Sequence, residues 1–453
     1  MIDDSTPVRP SSVLTEGLHS LVAKLVFLSV LCGAAVSMAA ETRILTLDQA
    51  LSLSMEKNRD IGKAREYARY LQGKYVEERS AALPQIGLYG SATLSKDESL
   101  RALTGSSQQQ TGTSLDVTLS QPLYTWGKLS AAIRAAEVGL KTADEQLRLY
   151  QQAARKDTAT AWYDILLAKE MHRLTSENLL QKQRHLDEAR RKFAAGIATD
   201  YDVLAAEVAA GNAGPEVIRT ENSIRLARER LRFLLAAEDE VDASGSLGLS
   251  TTDRPVTLHY DEALLIAFKK RPELADLRLR IGIYDELLTI AAAEDRPRLD
   301  LKGGAGWRWL SLDDPAPRRE ADGGAWNVGM YLSFPFFDGL KTSGRVTQAR
   351  SDLYSKQIDE QKLRDSIALE VRTAHNDVRE ATEIFQAVSG TVRQAEKLLQ
   401  MAEKGYEFGV KIRLEVEDAQ LNLLQATSSL AKAQRDYHVA WINFERAIGT
   451  LGE

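Results

Sequence analysis

The sequence predicts a mainly α-helical chain with four β-strands, built as two copies of one helix-strand-strand-helix unit. Three observations predict it. One shift of 213 residues aligns the two halves without gaps: Asp48 with Asp261, Ala50-Leu51 with Ala263-Leu264, Pro84 with Pro297, Pro122 with Pro335, Lys128 with Lys341, Leu140 with Leu353 and Gly196 with Gly409. A period this long exceeds any solenoid unit, so it reads as duplication of a complete half-molecule. Four segments alternate apolar and polar residues with period two, the pattern of strands with one oily face. Two further segments stay helical over a length of about 100 Å, which no globular core contains.

Composition narrows the class. The 453 residues are 44% hydrophobic and 27% charged, which fits neither a disordered chain nor a polytopic helical membrane protein. A net charge of −6 supplies no basic field for phosphate backbones, so nucleic acid is not an expected partner. The 11 prolines suit long unbroken helices, and the single cysteine excludes a disulfide framework or a multi-thiolate metal site. Lys24 precedes the apolar run Leu25–Ala40, too short for a bilayer span and the right length for a secretory leader. Ser37-Met38-Ala39 supplies the small residues a signal peptidase reads, so cleavage is expected after Ala39. Val30-Leu31 before Cys32 are not small, which argues against lipidation. No later segment offers a long uncharged apolar run, so strands must carry any membrane insertion.

The elements follow in order. Leu45–Leu83 has a helical pattern that Pro84 ends, because proline disfavours helical backbone in the residue before it. Strands occupy the hairpin 84–123, with Ile86, Leu88, Ala92 and Leu94, then Leu115, Val117 and Leu119, on one face. The copy, hairpin 297–337, repeats this with Leu299, Leu301, Ala305, Trp307 and Trp309, then Trp326, Val328, Met330, Leu332 and Phe334. Long helices are expected over 128–195 and 341–408, the first with Ile133, Leu140, Leu147, Ala154, Ala161 and Ala168 at seven-residue spacing. Returning helices are expected over 199–236 and 412–449. The last carries a large-residue seam (Val416, Leu423, Leu430, Tyr437, Phe444) and an alanine seam (Ala419, Ala426, Ala433, Ala440, Ala447), read as faces for two different neighbours. Gly214-Pro215 predicts a kink or break in the first returning helix. The chain thus divides into a signal peptide (1–39), a first repeat (40–240), a linker (241–255) and a second repeat (256–450).

Four strands cannot close a barrel, and open edges in lipid leave backbone groups unsatisfied at several kcal/mol each. Several chains must therefore share one barrel, and three copies give a 12-stranded transmembrane wall with a polar lumen, continuous with a long α-helical barrel. Trp126, Trp307, Trp309 and Trp326, four of the six tryptophans, lie in or beside the strands as an interfacial aromatic belt requires.

The leader, the duplicated unit, Gln121-Pro122-Leu123-Tyr124 with its copy Phe334-Pro335-Phe336-Phe337, and Tyr406-x-x-Gly409 before a returning helix together resemble the TolC family of outer membrane efflux proteins. The resemblance covers about Leu45 to Gly449. It implies a homotrimer with its β-barrel in outer membrane lipid and its helical barrel in the periplasm. It also implies passive export through partnership with a periplasmic adaptor (membrane fusion) protein and an inner-membrane transporter. By the same resemblance Glu415 and Asp418 occupy the positions of an acidic ring at the periplasmic gate, which in three copies favours cations. Asp202 matches an acidic latch residue, with Tyr406 and Lys411 at the partner positions on the neighbouring hairpin; Lys411 stands where an arginine can occur, so a bidentate fork is lost. Gly196 and Gly409 mark the hairpin tips, candidate contact points for the adaptor.

Enzyme chemistry finds no support. The histidines are scattered with no His-Glu-x-x-His pair, and Gly303-Gly304-Ala305-Gly306 lies within an alternating strand rather than between strand and helix. No nucleophile elbow or phosphate loop appears, so neither catalytic residue, metal nor cofactor is expected. The competing expectation is a periplasmic coiled-coil adaptor or scaffold whose hairpins form a soluble β-domain.

Overall fold

The structure, a computed structural model, describes residues 43–98, 108–248, 258–312 and 319–452. The expected signal peptide 1–39 and much of the expected linker lie outside the described residues. Chain order is β1 (Arg43–Leu45), α1 (Leu47–Lys57), α2 (Arg59–Ser80), β2 (Gln85–Asp97), β3 (Gln108–Tyr124), α3 (Lys128–Ala194), α4 (Asp200–Leu235) and β4 (Val241–Ala243). It continues with α5 (Tyr260–Lys270), α6 (Pro272–Ala292), β5 (Arg298–Leu312), β6 (Arg319–Ser333), α7 (Lys341–Glu407) and α8 (Arg413–Ala447).

Local chemistry sets most boundaries. Thr46 and Gln49 form a capping box at α1. The single helix expected over Leu45–Leu83 is instead a strand residue followed by two helices. Asn58 leaves helical backbone, and its side-chain oxygen accepts from the N–H groups of Asp60 and Ile61, which starts α2. Its amide also donates to the Leu234 carbonyl at 3.0 Å, so a tertiary contact fixes the break. Part of the expected linker is ordered differently too: Val241–Ala243 is a buried strand paired with β1.

The long helices α3 and α7, 67 residues each, organise the remainder. In the half nearer the sheet the neighbouring order is α2, α3, α6, α7; in the other half it is α4, α3, α8, α7. The helical layer therefore ends in α2 and α4 on one side and in α7 on the other. One core joins Ile367, Val371 and Val378 of α7 to Ala263, Leu274, Tyr437 and Phe444. A second joins Ala161, Trp162 and Ile165 of α3 to Leu45, Leu231, Leu235 and Val241, with the Trp162 indole N–H donating to the Leu45 carbonyl.

Two expectations about the returning helices are corrected. The two seams of α8 do not serve two neighbours. Val416 and Ala419 both pack with Ala402 of α7, and Ala426 and Leu423 both pack with Val392 and Ala395. Seams three residues apart are the two core positions of a single coiled-coil interface. The second neighbour, α3, is met by other residues: Gln420, Ala431, Arg435 and His438. Of the kink or break expected at Gly214-Pro215, the break does not occur: α4 runs continuously through Pro215. Gly211, whose carbonyl loses its usual partner, is exposed, and Thr220 is held by His172 and Thr175 of α3 at 3.2 and 3.0 Å. Solvation of the freed carbonyl and this tertiary anchor outweigh the lost bond.

A buried cation marks the junction of α5 and α6. The Arg271 side chain is 6% exposed and donates to Glu370 at 2.6 Å and Glu273 at 3.1 Å. Neutralising both carboxylates (Glu273→Gln with Glu370→Gln) strands a buried charge and is expected to cost about 3 kcal/mol or more in chemical denaturation, whereas Arg271→Met, which lets the acids turn to water, is expected to cost less.

Candidate functional site

The four long strands form one antiparallel sheet in the order β2-β3-β5-β6. Its register decides the use of each face, because directly paired residues share a side. Leu88 pairs with Val117, Val117 with Ala305, and Ala305 with Trp326; Leu115 pairs with Trp307, Thr113 with Trp309, and Leu301 with Met330. The apolar residues singled out by alternation, apart from Phe334, which follows the end of β6, therefore stand on one face, and that face is uncovered, with Ile86 at 72%, Met330 at 71% and Trp326 at 79% exposure. Trp307 and Trp309 lie toward the end of the sheet away from the helices. Trp126, packed edge-on to Tyr124 at 5.2 Å, lies at the helix end in left-handed backbone. From Leu299 to Trp309 the oily band runs about 33 Å along the strand, and a tilt of about 45° makes it about 23 Å tall, near the height of a barrel's apolar band.

The opposite face is wet. It carries Asp116, Lys302 and Arg308, with Ser114 donating to Asp116 at 2.8 Å. A Cβ at Gly306 would lie 2.3 Å from an Asp116 carboxylate oxygen and 2.5 Å from the Leu115 carbonyl, so only glycine permits this approach. β2 and β6 are the outer strands and pair with no further strand among the described residues.

At the far end of the helices the two hairpin tips share one turn. Gly196 and Gly409 both have φ of +73°, and nothing stands within 4 Å of a Cβ built on either, so backbone conformation rather than space demands glycine. In each, the glycine N–H reaches the carbonyl three back and the next N–H reaches five back: Gly196 to Phe193 and Ile197 to Lys192, Gly409 to Tyr406 and Val410 to Gly405. This is the Schellman closure of a helix end.

Each expected tip residue has a defined place. Thr199 is the N-cap of α4, and Asp202 closes its capping box by accepting from the Thr199 N–H at 2.8 Å and hydroxyl at 2.7 Å. Those two bonds hold the Asp202 carboxyl below its ordinary range. Within the chain Asp202 does not meet Tyr406 or Lys411. Lys411 is instead ion-paired with Glu415, whose carboxylate also accepts the Ile412 N–H at 3.0 Å. Glu415 is thus a helix cap with a partly neutralised charge, whereas Asp418, one turn on, is exposed and makes no ion pair among the described residues. Tyr406 receives Lys192 of α3, whose ammonium lies 3.2 Å from the hydroxyl and 5.4 Å from the ring centroid. Sequence reasoning missed Lys192 and also His185, which meets Gln420 at 3.2 Å. Neither lies in a motif; only the packing of α3 against the second hairpin brings them in.

A sheet oily on one side and wet on the other, ending helices about 100 Å long, defines a channel-type membrane protein with a helical extension. The chain belongs to the outer membrane efflux protein family, whose sequence model matches it twice, over residues 50–237 and 264–450. Outer membrane protein TolC of Vibrio cholerae is 24% identical over 385 residues, covering 83% of this chain and 84% of its own. The cobalt-zinc-cadmium resistance protein CzcC of Cupriavidus metallidurans is 26% identical over 385 residues, covering 84% of each. In fold, the chain resembles the CmeC outer membrane channel of Campylobacter jejuni, with a TM-score of 0.77 at 16% identity, over 90% of this chain and 87% of that one. No described helix is long and apolar enough to cross a membrane.

The Lys411 ammonium, then the Ile412 N–H, depress the Glu415 carboxyl. A depressed carboxyl stabilises the fold above its unfolded value of about 4.3 and loses that contribution as pH falls through the lower folded value. Carboxyl-carbon NMR titration is expected to place Glu415 below an ordinary glutamate, and Lys411→Met is expected to move it up; an unmoved titration in that variant contradicts the pairing.

Proposed function

We propose that three copies of this chain assemble into one duct, with a shared 12-stranded barrel in the outer membrane and a helical barrel in the periplasm. The protein is an outer membrane channel of the efflux family, a passive exit path. The observation that carries the trimer is the sheet: an uncovered oily face bounded by two unpaired edges, β2 and β6. β2 and β6 run in opposite senses, so β6 of one copy beside β2 of the next continues the antiparallel alternation without interruption. The helical layer ends above the same two edges, in α2 with α4 and in α7, so one seam serves both barrels. Glycines on the wet face support inward curvature, and duplication of a half-molecule accounts for the repeated element order.

The duct supplies no energy of its own. Its cargo is delivered by an inner-membrane transporter through a periplasmic adaptor that docks near the tips at Gly196 and Gly409. Asp418, with a lesser contribution from the capped Glu415, rings the periplasmic end with negative charge and favours cations. A soluble adaptor with a β-domain is not favoured, because such a domain would have to cover the oily face.

In planar bilayers the purified protein is expected to form cation-preferring pores, and Glu415→Ala with Asp418→Ala to lower that preference severalfold, most of the loss coming from Asp418. Unchanged selectivity in the double variant removes the ring; folded protein found in the soluble periplasmic fraction without detergent removes the duct.

A further inference from the structure

We infer that Lys192 of α3 is the positioning residue that holds the second hairpin tip against the first, through the hydroxyl and ring face of Tyr406. The inference rests on the duct reading and adds to it the residue that sets how far the tips part. Beyond the Arg435–Asp164 ion pair, toward the tips, two hydrogen bonds among the described residues cross from α3 to the second hairpin: His185 with Gln420, and Lys192 with Tyr406. The outer of the two is at Lys192.

The geometry is that of a built contact. Glu188, one turn before Lys192, accepts from its ammonium at 2.7 Å and limits the rotamers of a long side chain. The same ammonium then meets Tyr406 in two ways, by hydrogen bond at 3.2 Å and over the ring at 5.4 Å from its centroid. Both backbones are fixed as well, since the Lys192 carbonyl accepts the Ile197 N–H and the Tyr406 carbonyl accepts the Gly409 N–H in the two tip turns. The contact therefore joins the last turn of α3 to the last turn of α7. Asp202 and Lys411 are committed within their own helix starts and leave this junction to Lys192.

The repeat shows that the tie has one direction. At the 213-residue shift Lys192 corresponds to Gly405 and Tyr406 to Phe193, a pair with neither cation nor hydroxyl. The tie thus marks a difference between two halves whose turns are otherwise alike. At a partly exposed site one such contact changes an equilibrium by only about threefold, but three copies opening together multiply it to tenfold or more.

The test uses the full protein in detergent and in planar bilayers. Lys192→Met keeps the stem and removes the cation; Lys192→Arg restores a cation that can lie over the ring. Hydrogen exchange at the Val410 and Lys411 amides is expected to quicken in Lys192→Met and to return toward wild type in Lys192→Arg, with pore conductance rising and falling in step. Exchange unchanged in Lys192→Met overturns the inference whatever the pores do. Faster exchange that Lys192→Arg does not restore also overturns it, because loss of stem packing then accounts for the effect. Wild-type protein without conductance removes the duct reading, yet the exchange result still decides the contact.

Discussion

Backbone hydrogen bonding in hydrocarbon is the constraint on which this structure depends. A strand edge in water is merely available for pairing, but in lipid each unpaired N–H or C=O costs several kcal/mol. The chain makes four long strands and leaves β2 and β6 as outer strands, while the sheet presents Ile86, Met330 and Trp326 outward without cover. An oily face asks for lipid and lipid forbids open edges. Pooling of strands between copies satisfies both demands, and the proposed trimer follows from that conflict.

The helices answer a different problem, that of a wall about 100 Å long without a globular core behind it. Small residues solve it. Ala402, Ala419, Ala426 and Ala395 let α7 and α8 approach closely with knobs from Val416 and Leu423. Charge pairing is added to apolar packing where α8 meets α3: Arg435 pairs with Asp164 at 2.6 Å beside Ala431, which joins the apolar core of α3. At the tips the chain reverses through two glycines at φ of +73°; Asp202 and Glu415 are engaged as caps, whereas Asp418 is exposed and makes no ion pair among the described residues.

Much of this was legible in the sequence because the signals were local and periodic. Alternation located the oily face, since register preserves parity across the strand pairs up to the irregularity between Pro122 and Tyr124, and proline before Gln85 and Arg298 marked where helix gives way to strand. The errors came where tertiary contacts override local pattern. Asn58 divides a helical stretch because Leu234 takes its amide, and at Pro215 α4 does not break because Thr220 is anchored to α3. The seams of α8 were seen but assigned to two partners, because spacing along one helix cannot say which partner each seam meets. Lys192 was invisible for the same reason: its partner lies more than two hundred residues away, and the equivalent positions in the other half carry neither group.

Pooling of strands between identical chains is tested most directly by the mass of the intact assembly. Native mass spectrometry of the protein extracted from membranes in mild detergent is expected to show three chains that separate only on unfolding. A folded single chain that stays in solution after the detergent is removed would contradict the account.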